Sequence, residues 1–534
     1  MRRKLLIPFL CGAALCVNAR QPAYDATVSV RLNAAGVHAS FNLDHSVRRF
    51  EFSKVEVVRR EDIEVLTPGV EWNEDGTAVL SEHPFRRFEM QIKPAARERD
   101  AKYPAFFRVG LGGVLHGKAL KAGVGWRTHL RVITERGDTR APAGKAEIER
   151  SVFIGPTTYV THGAGADFIA SPDTPVPLRE RVVKLVTTAQ RMYAAHLQVA
   201  PATQPTVVMA QSGAGGGFTG DVSSGPFISL RFYGEPQDQL SDANSYRLTH
   251  FIMHEAFHLW NGELVSSRSE DTASWLHEGS ADYAALLTSL ELGALDDAGM
   301  RAELGSALER CRQGLERQNN VGLNELKVLS SNVRYPCGIV IQWAASMSSA
   351  GAGRGGFFDI WSRMIAVAMA RTDREYTLGD FYASTGVDGK TPPEAIRLIT
   401  SERGPARWKE LTTALATLGA EVTFSPTNDS RRQRMLFHLL EQACGPGPRG
   451  FYTESRIRLQ TNKDCVLIPD NSILISVEGG DIAAVDEATY SAVQARCAAQ
   501  EDVRILLEGD RNVSIPCHKE LIPPRDSYIV NRWH

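Results

Sequence analysis

The chain has 534 residues, of which 43% are hydrophobic and 23% are charged, as in ordinary soluble globular proteins. This length is sufficient for three or four domains. The formal net charge is -2, and a chain without a positive excess has no electrostatic basis for binding nucleic acid.

The amino-terminal residues follow the pattern of a secretory signal. Three basic residues, Arg2-Arg3-Lys4, precede an apolar run from Leu5 to Val17, and the small residue Ala19 follows. This order predicts a signal peptide over residues 1–19, and therefore an exported protein, either periplasmic or secreted. No other run approaches the roughly eighteen apolar residues that a membrane span needs.

Cysteine usage agrees with export. Two of the eight cysteines lie in the predicted signal peptide. The remaining six are Cys311, Cys337, Cys444, Cys465, Cys497 and Cys517. An even set without the close pairs of a zinc cluster is typical of disulfides in an oxidising compartment. We expect nearest neighbours to pair, Cys311 with Cys337, Cys444 with Cys465 and Cys497 with Cys517; buried free thiols are the alternative.

Residues 24–170 are predicted to form an amino-terminal β domain. Apolar residues recur there at every second position, and Gly, Pro and Asn interrupt the short runs. The clearest members of the pattern are Val28, Val30, Leu32, Val37, Ala39, Phe41, Leu43, Val55, Val57, Phe88, Met90 and Ile92. This periodicity predicts antiparallel strands, arranged as a sandwich, and no residue in them suggests chemistry.

A change of pattern follows the prolines at residues 172–177. Apolar residues between Leu178 and Leu197 recur at helical spacing, which predicts a helix. A short apolar strand at 207–209, a glycine-rich loop at 213–217 and a second strand at 227–232 come next. The predicted order is therefore helix, strand, loop and strand.

The motif His254-Glu255-Ala256-Phe257-His258 lies in the next predicted helix, which is expected to end at Gly262. Residues four apart lie on one helix face, so the two imidazoles can bind the same metal ion. Zinc favours such nitrogen ligands, and a catalytic zinc takes three protein ligands and one water. His250 lies too far along the helix to join them and is interpreted as structural.

Glu278 is the candidate for the third ligand. Asp282 follows it at the helical spacing of four, so one carboxylate can bind the metal while the other accepts the ring N–H of a ligand histidine. Glu270 and Asp271 are the alternatives for the third ligand, although they lie in a polar stretch typical of a solvated loop.

Two motifs carry a resemblance to a known family. They are His254-Glu255-x-x-His258-x-Trp260-Asn261 and Trp275-x-x-Glu278-Gly279-x-x-x-Tyr283. Together they resemble the glycyl aminopeptidase family of zinc metallopeptidases, which is related to alanyl aminopeptidase and thermolysin. The resemblance implies one Zn²⁺, a peptide or protein substrate, and hydrolysis by a zinc-activated water with Glu255 as the general base.

The same resemblance implies a multidomain α+β fold. A thermolysin-like catalytic domain is expected over 178–300 and a helical domain over 301–425. The catalytic domains of this group bind substrate along an edge strand, which here implies roles for Gly216, Gly217 and Phe218. Tyr335-x-x-Gly338 is similar to an element whose tyrosine stabilises the oxyanion, and Pro336 is expected at the first position of its helix.

One feature departs from the family. Aminopeptidases of this group hold the amine of the substrate with a glutamate in a glycine-containing motif, but no glutamate occurs between Thr206 and Gly234, where the only acid is Asp221. A buried ammonium without a carboxylate is costly. Aminopeptidase activity, endopeptidase activity and a non-catalytic scaffold with a zinc fold therefore all stay open.

Residues 440–534 are expected to form a small α/β domain. Apolar strands at 473–477 and 503–507 flank a predicted helix near 488–493. This segment weakly resembles the PDZ-like domain that often ends members of the family. The resemblance implies peptide docking, and a disulfide-stabilised packing domain is the alternative.

Overall fold

The structure is a computed structural model. It describes residues 24–53, 60–95, 104–142, 148–163, 165–212, 217–223, 225–234, 240–268, 274–326, 329–385, 392–445, 450–453, 456–461, 465–483, 485–524 and 526–534. The predicted signal peptide, Gly216, Glu270 and Asp271 lie outside the described residues. The chain divides into two compact units, Met1–Tyr159 and Val160–His534.

The first unit is built from strands. They are β1 (Tyr24–Asn33), β2 (Gly36–Glu51), β3 (Ile63–Val65), β4 (Glu71–Trp72), β5 (Ala78–Ile92), β6 (Phe106–Val109), β7 (Gly112–His116), β8 (Trp126–Ile133), β9 (Asp138–Ala141) and β10 (Ser151–Pro156). One sheet has the order β3-β5-β2-β1-β8, with β4 beside β5, and the other has the order β6-β7-β10-β9.

Alternation along the strands produces the core of this unit. Ala26, Val28 and Val30 of β1 are fully buried, because every second side chain points to the same face. Residues of both sheets, such as Phe41 and Ile154, belong to one hydrophobic cluster. The pairing is not antiparallel throughout, since β1 and β8 run parallel.

The boundary between the units lies at Tyr159 rather than at residue 170. Strands β11 (Val160–His162) and β12 (Asp167–Ala170) were expected in the amino-terminal domain. Instead, β12 pairs in parallel with β13 (Thr206–Ser212) of the second unit. Alternation reveals a strand but not the sheet to which it belongs.

The second unit combines a mixed five-stranded sheet with a set of helices and several further sheets. The sheet has the order β11-β12-β13-β15-β14, in which β14 (Gly217–Ser223) is an edge strand and β15 (Phe227–Tyr233) is fully buried. The described α-helices of the unit are α1 (Val176–Leu197), α2 (Asp242–His258), α3 (Ser274–Glu291), α4 (Asp297–Glu316), α5 (Ser331–Gly351), α6 (Phe357–Met369), α7 (Leu378–Thr385), α8 (Glu394–Thr400), α9 (Arg407–Thr417), α10 (Asn428–Cys444) and α11 (Glu487–Ala498).

The carboxy-terminal part of the chain has its own hydrophobic cluster, which begins in α10. Its sheet contains β19 (Gly450–Thr453), β20 (Ile457–Gln460), β21 (Ile473–Val477), β22 (Gly480–Asp481), β23 (Val503–Leu507) and β24 (Arg511–Ile515). The last strand, β25 (Asp526–Arg532), returns to pair with β18 (Glu421–Pro426). The remaining pair is β16 (Ser266–Ser267) with β17 (Glu375–Tyr376).

The disulfide prediction is confirmed. Cys311 bonds to Cys337, Cys444 to Cys465 and Cys497 to Cys517. The first bond joins α4 to α5. None of the helices described above combines the length and the apolar character that crossing a lipid bilayer requires.

Candidate metal centre

Two helices bring three potential metal-ligand atoms together. His254 and His258 lie one turn apart on α2, and Glu278 lies on α3, which packs beside it. The two Nε2 atoms are 3.1 Å apart, and an oxygen of Glu278 lies 3.4 Å from the Nε2 of His254 and 3.6 Å from that of His258. All three side chains are buried.

These separations fit zinc. Ligand atoms about 2.0–2.1 Å from a tetrahedral ion lie about 3.4 Å from one another. The three separations observed here are close to this value. The Nδ1 atoms of His254 and His258 donate to oxygens of Asp282 and Asn261. The two Nε2 atoms face each other at 3.1 Å, and in the neutral form of each ring this atom offers its lone pair to a metal ion.

Each of the two candidate ligand histidines has a hydrogen-bond partner. His254 Nδ1 donates to Asp282 Oδ1 at 2.7 Å, and His258 Nδ1 donates to Asn261 Oδ1 at 2.9 Å. The amide nitrogen of Asn261 in turn donates to the carbonyl oxygen of His277 at 2.7 Å. His250 contacts the same Asp282 oxygen at 3.3 Å and does not belong to the ligand set. Such partners fix the ring orientation and the tautomer.

The electrostatics of the centre favour a cation. Burial by itself would raise the pKa of Glu278, but contacts with His254 and His258 hold that pKa well below its ordinary value. Burial would likewise raise the pKa of Asp282, but the facing imidazoles of His254 and His250 hold it low. Since Glu255 is also close to His254 and His258, three carboxylates lie among the imidazoles of His250, His254 and His258.

The end of α2 differs from the prediction. The α-helix ends at His258, and residues Leu259–Leu264 continue as a π-helical turn that contains Gly262. A Cβ on Gly262 would lie 3.2 Å from the ring of His277, which stacks on His258 with 4.3 Å between the ring centroids. Gly262 therefore makes room for a neighbouring ring rather than ending the helix. Burial lowers the pKa of His277 to about 3, so this ring stays neutral.

Two glycines set the distance between Glu278 and Tyr335. Helices α3 and α5 cross where Gly279 meets Gly338, and a Cβ on Gly279 would lie only 2.3 Å from the Cα of Gly338. The backbones are thus in direct contact, one residue after Glu278 and three residues after Tyr335. The ring of Tyr335 lies 5.9 Å from that of His254.

The start of α5 also differs from the prediction. The helix begins at Ser331, so Pro336 lies inside it rather than at its first position. A proline inside a helix lacks the N–H that would bond to the carbonyl group four residues earlier. This earlier start places both Arg334 and Tyr335 in regular helix beside the metal centre.

Arg334 is a site residue that the sequence did not suggest. Its guanidinium lies 5.0 Å from the centre of the Tyr335 ring, and Nη2 is 4.0 Å from an oxygen of Glu278. Its Nε is buried without a hydrogen-bond partner among the described residues. Asn261 and His277 were missed as site residues for the same reason, since each acts through a contact that the linear spacing does not reveal.

A cavity of about 380 Å³ opens beside His254, which is the one of the three candidate ligands that lines it. His254, Asp282, Tyr335 and Phe218 are among the residues that line it. Phe218 is half-buried and lies 4.7 Å, centroid to centroid, from Phe251 of α2. The edge strand that carries Gly217 and Phe218 is therefore close to the metal centre.

Asp221 of the same strand is engaged within the sheet. Its carboxylate is buried, accepts a hydrogen bond from the hydroxyl of Ser229, and lies 4.0 Å from a guanidinium nitrogen of Arg231. Burial raises the pKa of the nearby Glu255, and Asp221 contributes in the same direction.

A second group of potential ligand atoms lies far from this centre in the chain. His438, Cys497 and Cys517 come together, but the two sulfurs form a disulfide. A disulfide sulfur is not a thiolate, so this group does not offer zinc the ligands it needs.

Comparisons with known proteins extend these findings. No model of a protein family matches the sequence, and no similar sequence occurs among curated proteins. A solved structure with a similar fold is the crystal structure of an aminopeptidase N family protein from Idiomarina loihiensis. It has 12% sequence identity and a TM-score of 0.56, and the match covers 95% of this chain and 98% of that chain. At this identity the similarity concerns the fold: this chain has a multidomain α+β architecture like that of the aminopeptidase N family protein.

Proposed function

We propose that the protein is a zinc-dependent metallopeptidase that hydrolyses peptide bonds. The observation that carries the proposal is the convergence of His254, His258 and Glu278 at separations suited to one tetrahedral ion, beside the Glu255 carboxylate. When bound, zinc supplies a Lewis acid and lowers the pKa of water.

Glu255 is the proposed general base. It lies on α2 between the two ligand histidines and is buried beside them. Burial raises its pKa, while the neighbouring histidines oppose this effect. A carboxylate with a raised pKa can take a proton from the attacking water and return it to the leaving amine.

Tyr335 is the proposed donor to the carbonyl oxygen that gains negative charge. It lines the cavity beside His254. Burial raises the pKa of its hydroxyl, and the nearby Glu278 adds to this effect, so the group keeps its proton and remains a donor. A donor fixed in this position stabilises the transition state more than the ground state.

The edge strand β14 is the proposed site for the substrate backbone. Only β15 pairs with it among the described strands, and an extended peptide can add to such an edge by main-chain hydrogen bonds. Gly217 and Phe218 stand at the start of this strand, and we retain Gly216 in the proposal from the sequence.

The contacts of Asp221 favour endopeptidase over aminopeptidase activity. Ser229 and Arg231 already surround its carboxylate, so using it to hold a substrate amine would break contacts in the sheet. Three disulfides agree with an exported protein, and we propose peptides or unfolded proteins outside the cytosol as substrates.

A panel of blocked and unblocked peptides tests the proposed function. We expect zinc-dependent cleavage that chelation abolishes and added zinc restores. The Glu255→Gln variant should bind zinc normally yet lose activity, while Glu291→Gln, which changes an exposed glutamate near the end of α3 that pairs with His196, should remain active. Internal cuts in blocked peptides identify an endopeptidase, and strict dependence on a free amine identifies an aminopeptidase. If the protein binds zinc but cleaves none of the peptides, the proposal that it is a peptidase is refuted, and a non-catalytic scaffold with a zinc fold is favoured.

A further inference from the structure

The cavity beside the metal centre has two chemically different ends. His254 and Tyr335 line the end near the ligands, and apolar side chains form much of its walls. The end remote from the ligands is polar. Its residues are Tyr246, Arg247, Glu303 and Arg310.

Two helices supply this polar end. Tyr246 and Arg247 lie on α2, about two turns before His254, which is about 10 Å along the helix axis. Glu303 and Arg310 lie about two turns apart on α4, and therefore on the same face. The polar end is thus within reach of a substrate group near the bond to be cut.

The polar end carries an excess of positive charge. Burial raises the pKa of the Tyr246 hydroxyl, nearby Glu303 and Asp282 raise it further, and Arg310 opposes them. Neither Arg247 nor Arg310 forms an ion pair with any described residue. The polar end therefore sets two guanidinium groups against one carboxylate, that of Glu303. The other carboxylate in the cavity lining, Asp282, is already engaged by His250 and His254.

We propose that the polar end of this cavity binds a carboxylate of the substrate through Arg247 and Arg310. This inference rests on the proposed peptidase function and deepens it. A guanidinium presents its N–H groups in a fork that matches the two oxygens of a carboxylate. The carboxylate is either the side chain of an aspartate or glutamate near the cut or the terminal carboxylate of a short peptide.

Matched peptides separate the two sources. The first pair differs by glutamate or glutamine next to the cut, and the second pair differs by a free or amidated carboxy terminus. We expect kcat/KM to be roughly 10- to 100-fold higher for the peptide with the recognised carboxylate, as charged hydrogen bonds of this kind allow. A preference in the first pair identifies a side-chain carboxylate, and one in the second identifies a terminal carboxylate.

Variants test the assigned arginines. Arg310→Gln and Arg247→Gln should each reduce the preference, and the double variant should remove it. Arg301→Gln is the matched control, because this arginine of the same helix pairs with Asp297 and does not line the cavity. It should keep the full preference.

Several results would overturn the proposal. Equal rates for both members of both pairs would do so, as would faster cleavage of peptides with lysine in place of glutamate. The cavity would instead bind the amine of the substrate if the protein cleaved only peptides with a free amino terminus and the Glu303→Gln variant lost this selectivity.

A binding measurement keeps this inference separate from the peptidase proposal. If the protein cleaves none of the peptides, the proposed peptidase function fails. The carboxylate site can still be tested, because fluorescence anisotropy measures how tightly the protein binds the labelled glutamate and free-acid peptides. Binding that Arg310→Gln weakens about tenfold supports the carboxylate site. Binding that the substitution leaves unchanged refutes it.

Discussion

Replacing Gly279 by alanine should disrupt the metal centre without touching any metal ligand. The new Cβ would lie 2.3 Å from the Cα of Gly338 and 2.5 Å from its carbonyl carbon. Ordinary contacts of a Cβ begin near 3.4 Å, so α3 and α5 must separate by about 1 Å where they cross. Glu278 is the neighbouring residue and must move with α3, although zinc ligands tolerate only about 0.2 Å.

We therefore expect Gly279→Ala to weaken zinc binding at least about 100-fold, since a misplacement of about 1 Å has effects of this size on precisely built sites. Overpacking should also lower the stability by about 1–3 kcal/mol. Competition with a fluorescent chelator measures the affinity, and circular dichroism with thermal unfolding shows whether the fold persists.

The matched control is Gly351→Ala at the end of α5. A Cβ at this position meets no atom within 4 Å, so this variant should bind zinc as the original protein does. If Gly279→Ala binds zinc with unchanged affinity, the close contact of the two helices does not position Glu278, and our explanation of the glycine pair is wrong.

Three further predictions concern single side chains. Asp282→Asn should weaken zinc binding about 10- to 100-fold in the same competition assay, because His254 loses the carboxylate that orients it. Tyr335→Phe should lower kcat about 100-fold or more and leave zinc affinity unchanged, and a change in affinity instead would refute its role as an oxyanion donor. Burial lowers the pKa of His116 in the first unit to about 4 from an ordinary 6.5, so the unfolded chain binds a proton that the folded unit does not. The stability of that unit should therefore fall by roughly 3 kcal/mol as the pH drops from 7 to 4. Amide hydrogen exchange in β7, corrected for its intrinsic pH dependence, measures this loss. The His116→Gln variant should not show it.

Local patterns in the sequence determined the elements of this protein. The four-residue spacing of His254 and His258 placed both rings on one face because helical geometry depends only on neighbouring residues. Alternation along β1 and β2 likewise identified the buried side chains of the first unit. The nearest-neighbour pairing of the cysteines was correct because each pair closes a loop of only 20 to 26 residues.

Contacts between distant elements were decided only in the folded chain. Asn261 accepts a hydrogen bond from His258, Gly279 meets Gly338, and Arg247 lines the same cavity as Arg310, yet none of these pairings has a periodic signature. The strand Asp167–Ala170 joined the second unit for the same reason, since its partner lies beyond a whole helix. Spacing along a chain specifies which side of an element a residue occupies, whereas the packing of helices and sheets determines what that side meets.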